Sequence, residues 1–593
     1  MYKKFKEVFG KSGDIIREYP MVLAMAFLAA ISTISYISYD YNSQNQSFVY
    51  LKFAWVASLG ISVMFAIKML SQRIGKEIIL QLFGLVFLVF FYFLLPLKEK
   101  EFTEVYAFLL IPTFILSHLL VSFIAFVRKD QELNFWQFNK NLFINIFLTA
   151  VFTGVLTGGI MLAILAVDQL FDFNFKGRCY SYTFSFLSIF GSSFIFLLFN
   201  EKGLSYLEKN GDYPVILKFF TQFILVPLLL IYAVILYFYS AKILINWELP
   251  RGWVSYLILA YSVVGILAIL LVHPLKGDST KSWVRIFSNV FYYTLAPLII
   301  LLFVAIFTRI LEYGYTEPRY FVLIIALWLT TVVLYFIFIR RQTIKFVPVS
   351  LFVFGLFSLT FPYINAFSVA KRSQKSELVK SLSDHNLLEN GTINFNKEIP
   401  NAVANDISDK FSFLAKRKEK DFLINFLATD VKKRYEKDLE DDQLWRYTSL
   451  RSEFKKIIYV DNKTKGDYLS TILTSKSSGI DISAYRQLFK VDYNNTRFEF
   501  ENNKFELEIP GAVMKTEFNV VFNGQKINLL PEFKELFNNA PNDGEQGVEN
   551  LFIIKKVGSY EIKVLFDSVL RNTSPKKDDT YIINGPSMII LIK

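Results

Sequence analysis

The sequence predicts a polytopic α-helical membrane protein with about eleven transmembrane helices, followed by a C-terminal α+β extracytoplasmic domain. Three observations lead there: recurrent apolar runs, a sharp change of composition near residue 364, and basic charge concentrated in alternate loops. The 593-residue chain is 53% hydrophobic, with 63 Phe and 32 Tyr. Soluble domains hold about 45–50% apolar residues, so the excess needs a cause. Its distribution supplies one. Residues 20–364 carry repeated apolar stretches, whereas the chain from about 366 onward is rich in Lys, Asp, Glu and Asn.

A helix needs roughly 20 apolar residues to cross about 30 Å of hydrocarbon. Runs of that kind occur at about 20–38, 51–70, 77–97, 104–127, 142–167, 179–199, 214–240, 252–272, 287–309, 317–339 and 345–364. Lipid offers no partner to a bare peptide group, so each run is read as a helix that satisfies its own backbone. Lys3, Lys4 and Lys6 precede the first run in the manner of a secretory signal. The long leader, its acids Glu7 and Asp14, and the runs that follow favour an uncleaved first helix.

The formal charge of +12 is unevenly placed. Residues 366–593 hold 35 Lys and Arg against 33 Asp and Glu, leaving 29 against 19 in the earlier part. That surplus collects in the N-terminal tail and the even-numbered loops, among them Arg73, Lys76, Arg128, Lys129, Lys281, Arg285, Arg340 and Arg341. Such a bias is a topology signal rather than a nucleic-acid surface, and it sets the N-terminus in the cytoplasm. An odd number of passes then sets the C-terminal domain outside, in the periplasm. The divisions expected are a cytoplasmic tail at 1–19, a helical bundle at 20–364, a mainly helical segment at 365–465 and a mainly β segment at 466–593. One cysteine, Cys179, excludes an intramolecular disulfide and reads as a small packed side chain.

In the segment after the bundle, "AVANDISDKFSFLAKRKEKDFLINFLATDVKKRYEKDL" keeps helical spacing without Pro or Gly. Further on, "TRFEFENNKFELEI" and "YEIKVLF" alternate as strands do, and "EFNVVFNGQKINLL" breaks at an Asn-Gly hairpin signal. The final "TYIINGPSMIILIK" reads as a further hairpin or strand pair.

No phosphate-binding loop, His-Glu-x-x-His or Cys-x-x-Cys is present, and the Ser-x-x-Lys at Ser452 and Lys455 is too common a spacing to carry weight. His118, His273 and His385 are widely scattered, so no metal centre and no cofactor are expected. His118 lies mid-run in "PTFILSHLLVSF", where an ionisable group is expected to face the protein interior and hydrogen-bond there. His273, beside Pro274, reads as interfacial. Ala150, Gly154 and Gly158 recur on one helix face, spacing that lets a neighbouring helix come close.

Two stretches repeat a theme. "LINWELPRGWVSYLI" at 244–258 and "ILEYGYTEPRYFVLI" at 310–324 each set Glu, Pro, Arg and an aromatic ahead of a long apolar run. Each also follows a helix with an early proline, Pro227 or Pro297, which suggests a duplicated hairpin. Anchoring accounts for every residue singly: Trp253 and Tyr320 fit an aromatic belt, and acids suit helix starts. Convergence would make more of them. Asp168, Asp172, Glu248, Arg251, Glu317 and Arg319, with Trp253 and Tyr320, would form a mixed-charge outer vestibule that binds a polar head group or docks the following domain.

At "LPRGWVSYLILAYSVVGILAILLVHP" and "YGYTEPRYFVLIIALWLTTVVLYFIF" the chain resembles the polytopic bacterial membrane proteins grouped as domain of unknown function 4153. The resemblance is best over about 140–370. It implies an envelope membrane protein and carries over no catalytic residue.

These features favour a non-enzymatic cytoplasmic-membrane protein, a transporter-like or scaffold bundle with a periplasmic docking or sensing domain. Membrane lipid and an envelope protein are its expected partners, and nucleic acid is not. The alternative is a membrane-embedded transferase acting on a lipid-linked or glycan substrate at the outer face. Such enzymes place paired acids in the first outer loop, where "YDYNSQNQS" offers Asp40 alone. A sensory membrane partner, lacking an output domain of its own, is the third class.

Overall fold

A computed structural model describes residues 12–39, 44–127, 131–173, 175, 177–209, 213–246, 253–277, 282–429, 431–433, 450–457, 469–476, 479–492, 496–508, 517–538, 540, 544–549, 551–574, 577–584 and 588–593. The chain divides into two compact units, Met1–Ile457 and Ile458–Lys593.

Among the described residues of the first unit, ten helices are long and apolar enough to cross a membrane. They are α1 (Pro20–Ser38), α2 (Ser47–Ile74), α3 (Glu77–Leu94), α4 (Glu104–Phe126), α5 (Glu132–Phe171), α6 (Gly177–Phe199), α7 (Leu217–Asn246), α8 (Val254–Leu275), α9 (Ile286–Tyr313) and α10 (Glu317–Phe338). The eleventh apolar run yields a shorter helix, α11 (Phe346–Thr360), of 15 residues, about 22 Å at 1.5 Å per residue. Pro227 and Pro297 both lie inside α7 and α9 rather than opening them. Ahead of Pro227, α7 relaxes into a π turn at Thr221–Leu225, as a missing N–H and a ring clash would favour.

Polar contacts sort the helix ends into two sets. At one end Lys68 reaches Glu18 (3.1 Å) and Glu77 (3.0 Å), and Arg73 reaches Glu208 (2.5 Å). Arg73 also donates to the Ala125 carbonyl (3.2 Å), the Ile344 amide to Glu132 (2.9 Å) and Lys345 to the Phe126 carbonyl (3.2 Å), while His273 lies 3.2 Å from Glu132. At the other end Lys52 donates to the Leu95 carbonyl (3.4 Å) and the Tyr320 hydroxyl to the Ile364 carbonyl. Thus α11, leaving Lys345 and arriving at Ile364, covers the depth of α10 despite its length.

Two expectations about the bundle are corrected. His118 is exposed on α4, its Nδ1 2.8 Å from the Phe114 carbonyl. Ser117 takes the inward position instead, accepting a bond from the Ser62 hydroxyl on α2 (2.7 Å). The next residue on a helix is turned through about 100°, so His118 points away and settles on a carbonyl one turn back. The small-residue face of α5 is likewise open: nothing described lies within 4 Å of a Cβ built on Gly154 or Gly158. The buried face of that helix is carried by Thr149, Thr153 and Thr157.

Beyond α11 the first unit continues through α12 (Ala366–Asp384), whose first turn is capped by Asn365 accepting from the Ser368 amide (2.9 Å). A hairpin of β1 (Leu388–Glu389) and β2 (Thr392–Ile393) follows, then β3 (Glu398–Pro400), which pairs in parallel with β4 (Lys455–Ile457). Between those strands α13 (Asn401–Ala415) and α14 (Lys420–Ile424) pack Ile407, Phe411 and Leu423 against Leu378 and Leu382 of α12. The long helix expected from 402 stops at Ala415, because Lys418 adopts a left-handed φ of 61°.

Among the described residues the second unit contains three four-stranded sheets. β7 (Arg497–Phe500), β8 (Asn503–Glu508), β9 (Asn519–Phe522) and β10 (Gln525–Asn528) form an antiparallel meander. Its Asn523–Gly524 turn has φ of 45° and 88°, the conformation that Asn-Gly favours in a two-residue hairpin. A second sheet runs β11 (Gly544–Val548), β5 (Leu469–Ser475), β14 (Ser568–Ser574), β15 (Lys577–Asn584). The third runs β12 (Phe552–Val557), β13 (Tyr560–Leu565), β16 (Met588–Ile592), β6 (Gln487–Val491). The two strands expected over 580–593 are both present, but they do not pair with each other. β15 pairs with β14, while β16 lies between β13 and β6 in another sheet. Four of the five β16 residues are buried, so this strand suits a central position and has no polar face to offer solvent.

Candidate functional site

Three successive cations, Lys416, Arg417 and Lys418, follow the end of α13, and each finds an acid at the bundle end marked by Ile364. Lys416 contacts Glu104 (2.9 Å), Arg417 contacts Glu317 (2.6 Å) and Lys418 contacts Glu101 (2.7 Å). Only a broken helix can fan neighbouring side chains toward three separate acids, and the left-handed turn at Lys418 provides that break.

The middle pair is buried. Arg417 donates from Nε to one Glu317 oxygen (2.7 Å) and from Nη2 to the other (2.6 Å), and from Nη1 to the Phe413 carbonyl (2.8 Å). Its guanidinium also lies 3.3 Å from the Phe413 ring centroid. The side chains are 4% and 0% exposed. Two parallel bonds match the fork of a guanidinium to a carboxylate. Desolvating such a pair costs several kcal/mol per ion, so the geometry is tolerated only because both charges are satisfied. Glu317 gains further from its place in the first turn of α10, where the helix dipole favours an anion.

The turn before α10 is held from α12. Gln374 donates to the Tyr313 (2.9 Å) and Tyr315 (3.0 Å) carbonyls, and Ser373 accepts from the Tyr315 amide (2.8 Å). Gly314 has a φ of 71°, and a Cβ there would meet Glu377 Cγ at 2.7 Å and Ser373 Oγ at 2.9 Å. The turn therefore requires glycine twice, for conformation and for space. Across the base of α12, Glu419 binds Lys371 (2.8 Å) and Lys375 (2.5 Å). Burial works to raise the Glu419 carboxyl, but the hydrogen bonds and charges of the two lysines outweigh it and hold the group below the ordinary carboxylate range.

The sequence-predicted residues take separate places. Glu317 serves Arg417. Arg319 donates to the Tyr313 (3.1 Å) and Gly314 (2.7 Å) carbonyls, closing the end of α9, and Tyr320 binds Ile364. Asp168 accepts from the Phe175 amide (2.7 Å) in a local closure after α5, and Asp172 is exposed with a φ of 52°. Glu248 and Arg251 lie outside the described residues, as does the Trp253 side chain. Sequence reasoning missed Glu101, Glu104, Lys371, Lys416, Arg417, Lys418 and Glu419. For Lys416, Arg417, Lys418 and Glu419 the run "AKRKEK" was the signal, absorbed into a helical pattern.

Beside the clamp lies a cavity of about 230 Å³, lined by Val105, Tyr106, Leu109, Phe367, Lys371 and the three clamp cations. No group of three or more His, Cys, Asp or Glu able to hold a metal occurs among the described residues.

The family described as Domain of unknown function (DUF4153) matches residues 21–390. The chain belongs to that family. The DUF4153 match includes Glu101, Glu104 and Glu317 and stops before Lys416–Lys418, so the acids of the clamp are within it and the cations beyond it. The chain is also similar to the uncharacterized protein PM1469 of Pasteurella multocida, at 25% identity over 379 residues, covering 63% of this chain and 61% of that protein. It thus spans about three fifths of that relative's length. No solved structure matches.

Proposed function

We propose that this DUF4153 protein is a non-enzymatic multi-pass scaffold of the bacterial envelope, in which the clamp fixes the post-bundle segment onto one end of the helices. The buried Glu317–Arg417 pair carries this reading. A segment meant to swing free would not bury a bidentate ion pair at its contact, because each opening would leave two charges to resolvate from a protein-lined site. In this reading the clamp end faces the periplasm. The opposite end bears Arg73, Arg340 and Arg341 and faces the cytoplasm of a cytoplasmic-membrane protein. A rigidly seated segment suits docking of an envelope protein better than it suits a moving gate or a catalytic cleft.

Gentle solubilisation and affinity purification of the full chain test it. A stoichiometric envelope protein should copurify with the wild type and be lost with Arg417→Glu, then regained when Glu317→Arg is added. Turnover of a lipid-linked sugar by the purified chain in liposomes would replace the scaffold reading with the transferase one.

A further inference from the structure

The cavity beside the clamp has a division of chemistry that ion pairing alone does not require. Four cations, Lys371, Lys416, Arg417 and Lys418, line it together with Val105, Leu109, Phe367 and Tyr106. Among the described residues no carboxylate lines it, and Glu101, Glu104, Glu317 and Glu419 bind those cations without being part of the lining. An ammonium has three donors, and Lys371 and Lys416 keep side-chain exposures of 37% and 30% beside the carboxylates they bind. They retain capacity for further oxygens. Arg417, spending donors on Glu317 and on the Phe413 carbonyl, adds charge rather than a free fork.

Position completes the argument. Val105 and Leu109 belong to the first turns of α4, and Phe367 and Lys371 to the first turns of α12 just past α11. The cavity therefore sits where apolar helices give way to charged chain, the level at which a lipid changes from acyl to phosphate. Its volume of about 230 Å³ equals roughly seven or eight water-sized groups at about 30 Å³ each, enough for a phosphate with the carbons next to it.

We propose that this cavity binds the phosphate-bearing head and adjoining carbons of an anionic membrane lipid. Phosphate oxygens take the spare donors of Lys371 and Lys416, and the glycerol and first methylenes cover Val105, Leu109 and Phe367. The inference rests on the seated clamp, because Lys416–Lys418 belong to the lining. A lipid held there would join the post-bundle segment to the bilayer as well as to the helices.

Native mass spectrometry of the full chain in mild detergent, titrated with phosphatidylglycerol, phosphatidylcholine or inorganic phosphate, tests it. One phosphatidylglycerol per chain should be retained at least tenfold more tightly than phosphatidylcholine. Lys371→Gln with Lys416→Gln should weaken it tenfold or more, Leu109→Trp should block it by filling the apolar part, and Lys504→Gln in the second unit should leave it unchanged. Equal retention of the two lipids, or unaltered binding by both cavity variants, overturns the proposal. Inorganic phosphate bound as tightly as phosphatidylglycerol, and lost in the same variants, overturns its lipid half. Energetic coupling between Glu317→Gln and Arg417→Gln, measured in a double-mutant cycle without added lipid, reports the clamp independently. Coupling without selective lipid binding leaves the clamp intact and removes this proposal alone; absent coupling removes the clamp.

Discussion

Arg417 and Glu317 act as one object, and the two ways of altering them should differ sharply. Removing one partner, as in Arg417→Met, strands a buried carboxylate and should cost about 3–5 kcal/mol. Replacing both, with Glu317→Leu added, should recover most of that loss, because a well-packed apolar pair needs no resolvation. Denaturant unfolding in a fixed detergent measures both; equal losses in single and double variants would show that the pair is not what holds the site. Lys418 is exposed, so Lys418→Ala should change stability by less than about 1 kcal/mol, and by less still in high salt. Glu419 adds a pH dependence. Its carboxyl is held below the ordinary range by Lys371 and Lys375, so it binds fewer protons folded than unfolded. Its stabilisation is complete above the unfolded value of about 4.3 and disappears as pH falls through the folded value. Glu419→Gln should flatten the acid limb of a thermal-stability profile between about pH 4.3 and lower values. Local sequence exposed Glu317, Arg319 and Tyr320 as a group because they share a helix start. It could not pair Glu317 with a residue 100 positions away, since such a contact leaves no trace in periodicity.

Elements were legible where one pattern decided them. Runs of apolar residues located ten long helices among the described residues, because length and hydrophobicity suffice for that assignment. Asn523–Gly524 located a hairpin, because few residue pairs tolerate two positive φ values. The patterns failed where tertiary choice intervened. A strand as apolar as β16 can lie beside any neighbour, and Lys418 turned left-handed without the glycine that would have announced it. Glycines divide the same way, and substitution separates them. Gly314→Ala meets α12 at 2.7 Å and forces an alanine to a φ of 71°, so it should lose at least about 1–2 kcal/mol from the conformation alone. Gly154→Ala and Gly158→Ala face open space, and each should instead stabilise α5 by about 0.5–1 kcal/mol. Melting temperatures of the three variants in one detergent check this. A large loss at Gly158 would mean that a helix from another chain occupies that face.

At the scale of the molecule, the deciding element is the short one. Ten long helices alone would return both ends of the bundle to one compartment. In the proposed topology α11 changes that parity, its 15-residue helix lying between Lys345, bound at one end of the bundle, and Ile364, bound at the other. Composition marked the end of the apolar helices near 364, yet the first compact unit continues to Ile457, because α12 and α13 turn their polar contacts back onto helix ends. Sequence could place the change of composition but could not say that the charged chain would be gripped by the bundle it had just left. The geometry has a direct consequence for accessibility. With Cys179 replaced by serine, single cysteines at Arg17→Cys and Asp384→Cys sit on exposed positions at the two ends. A membrane-impermeant maleimide applied to intact spheroplasts should label position 384 and reach position 17 only after lysis. Labelling of both positions, or of neither, before lysis would mean that α11 dips into the bilayer and returns, and the acids and cations of the clamp would then have to meet on the cytoplasmic side or not at all.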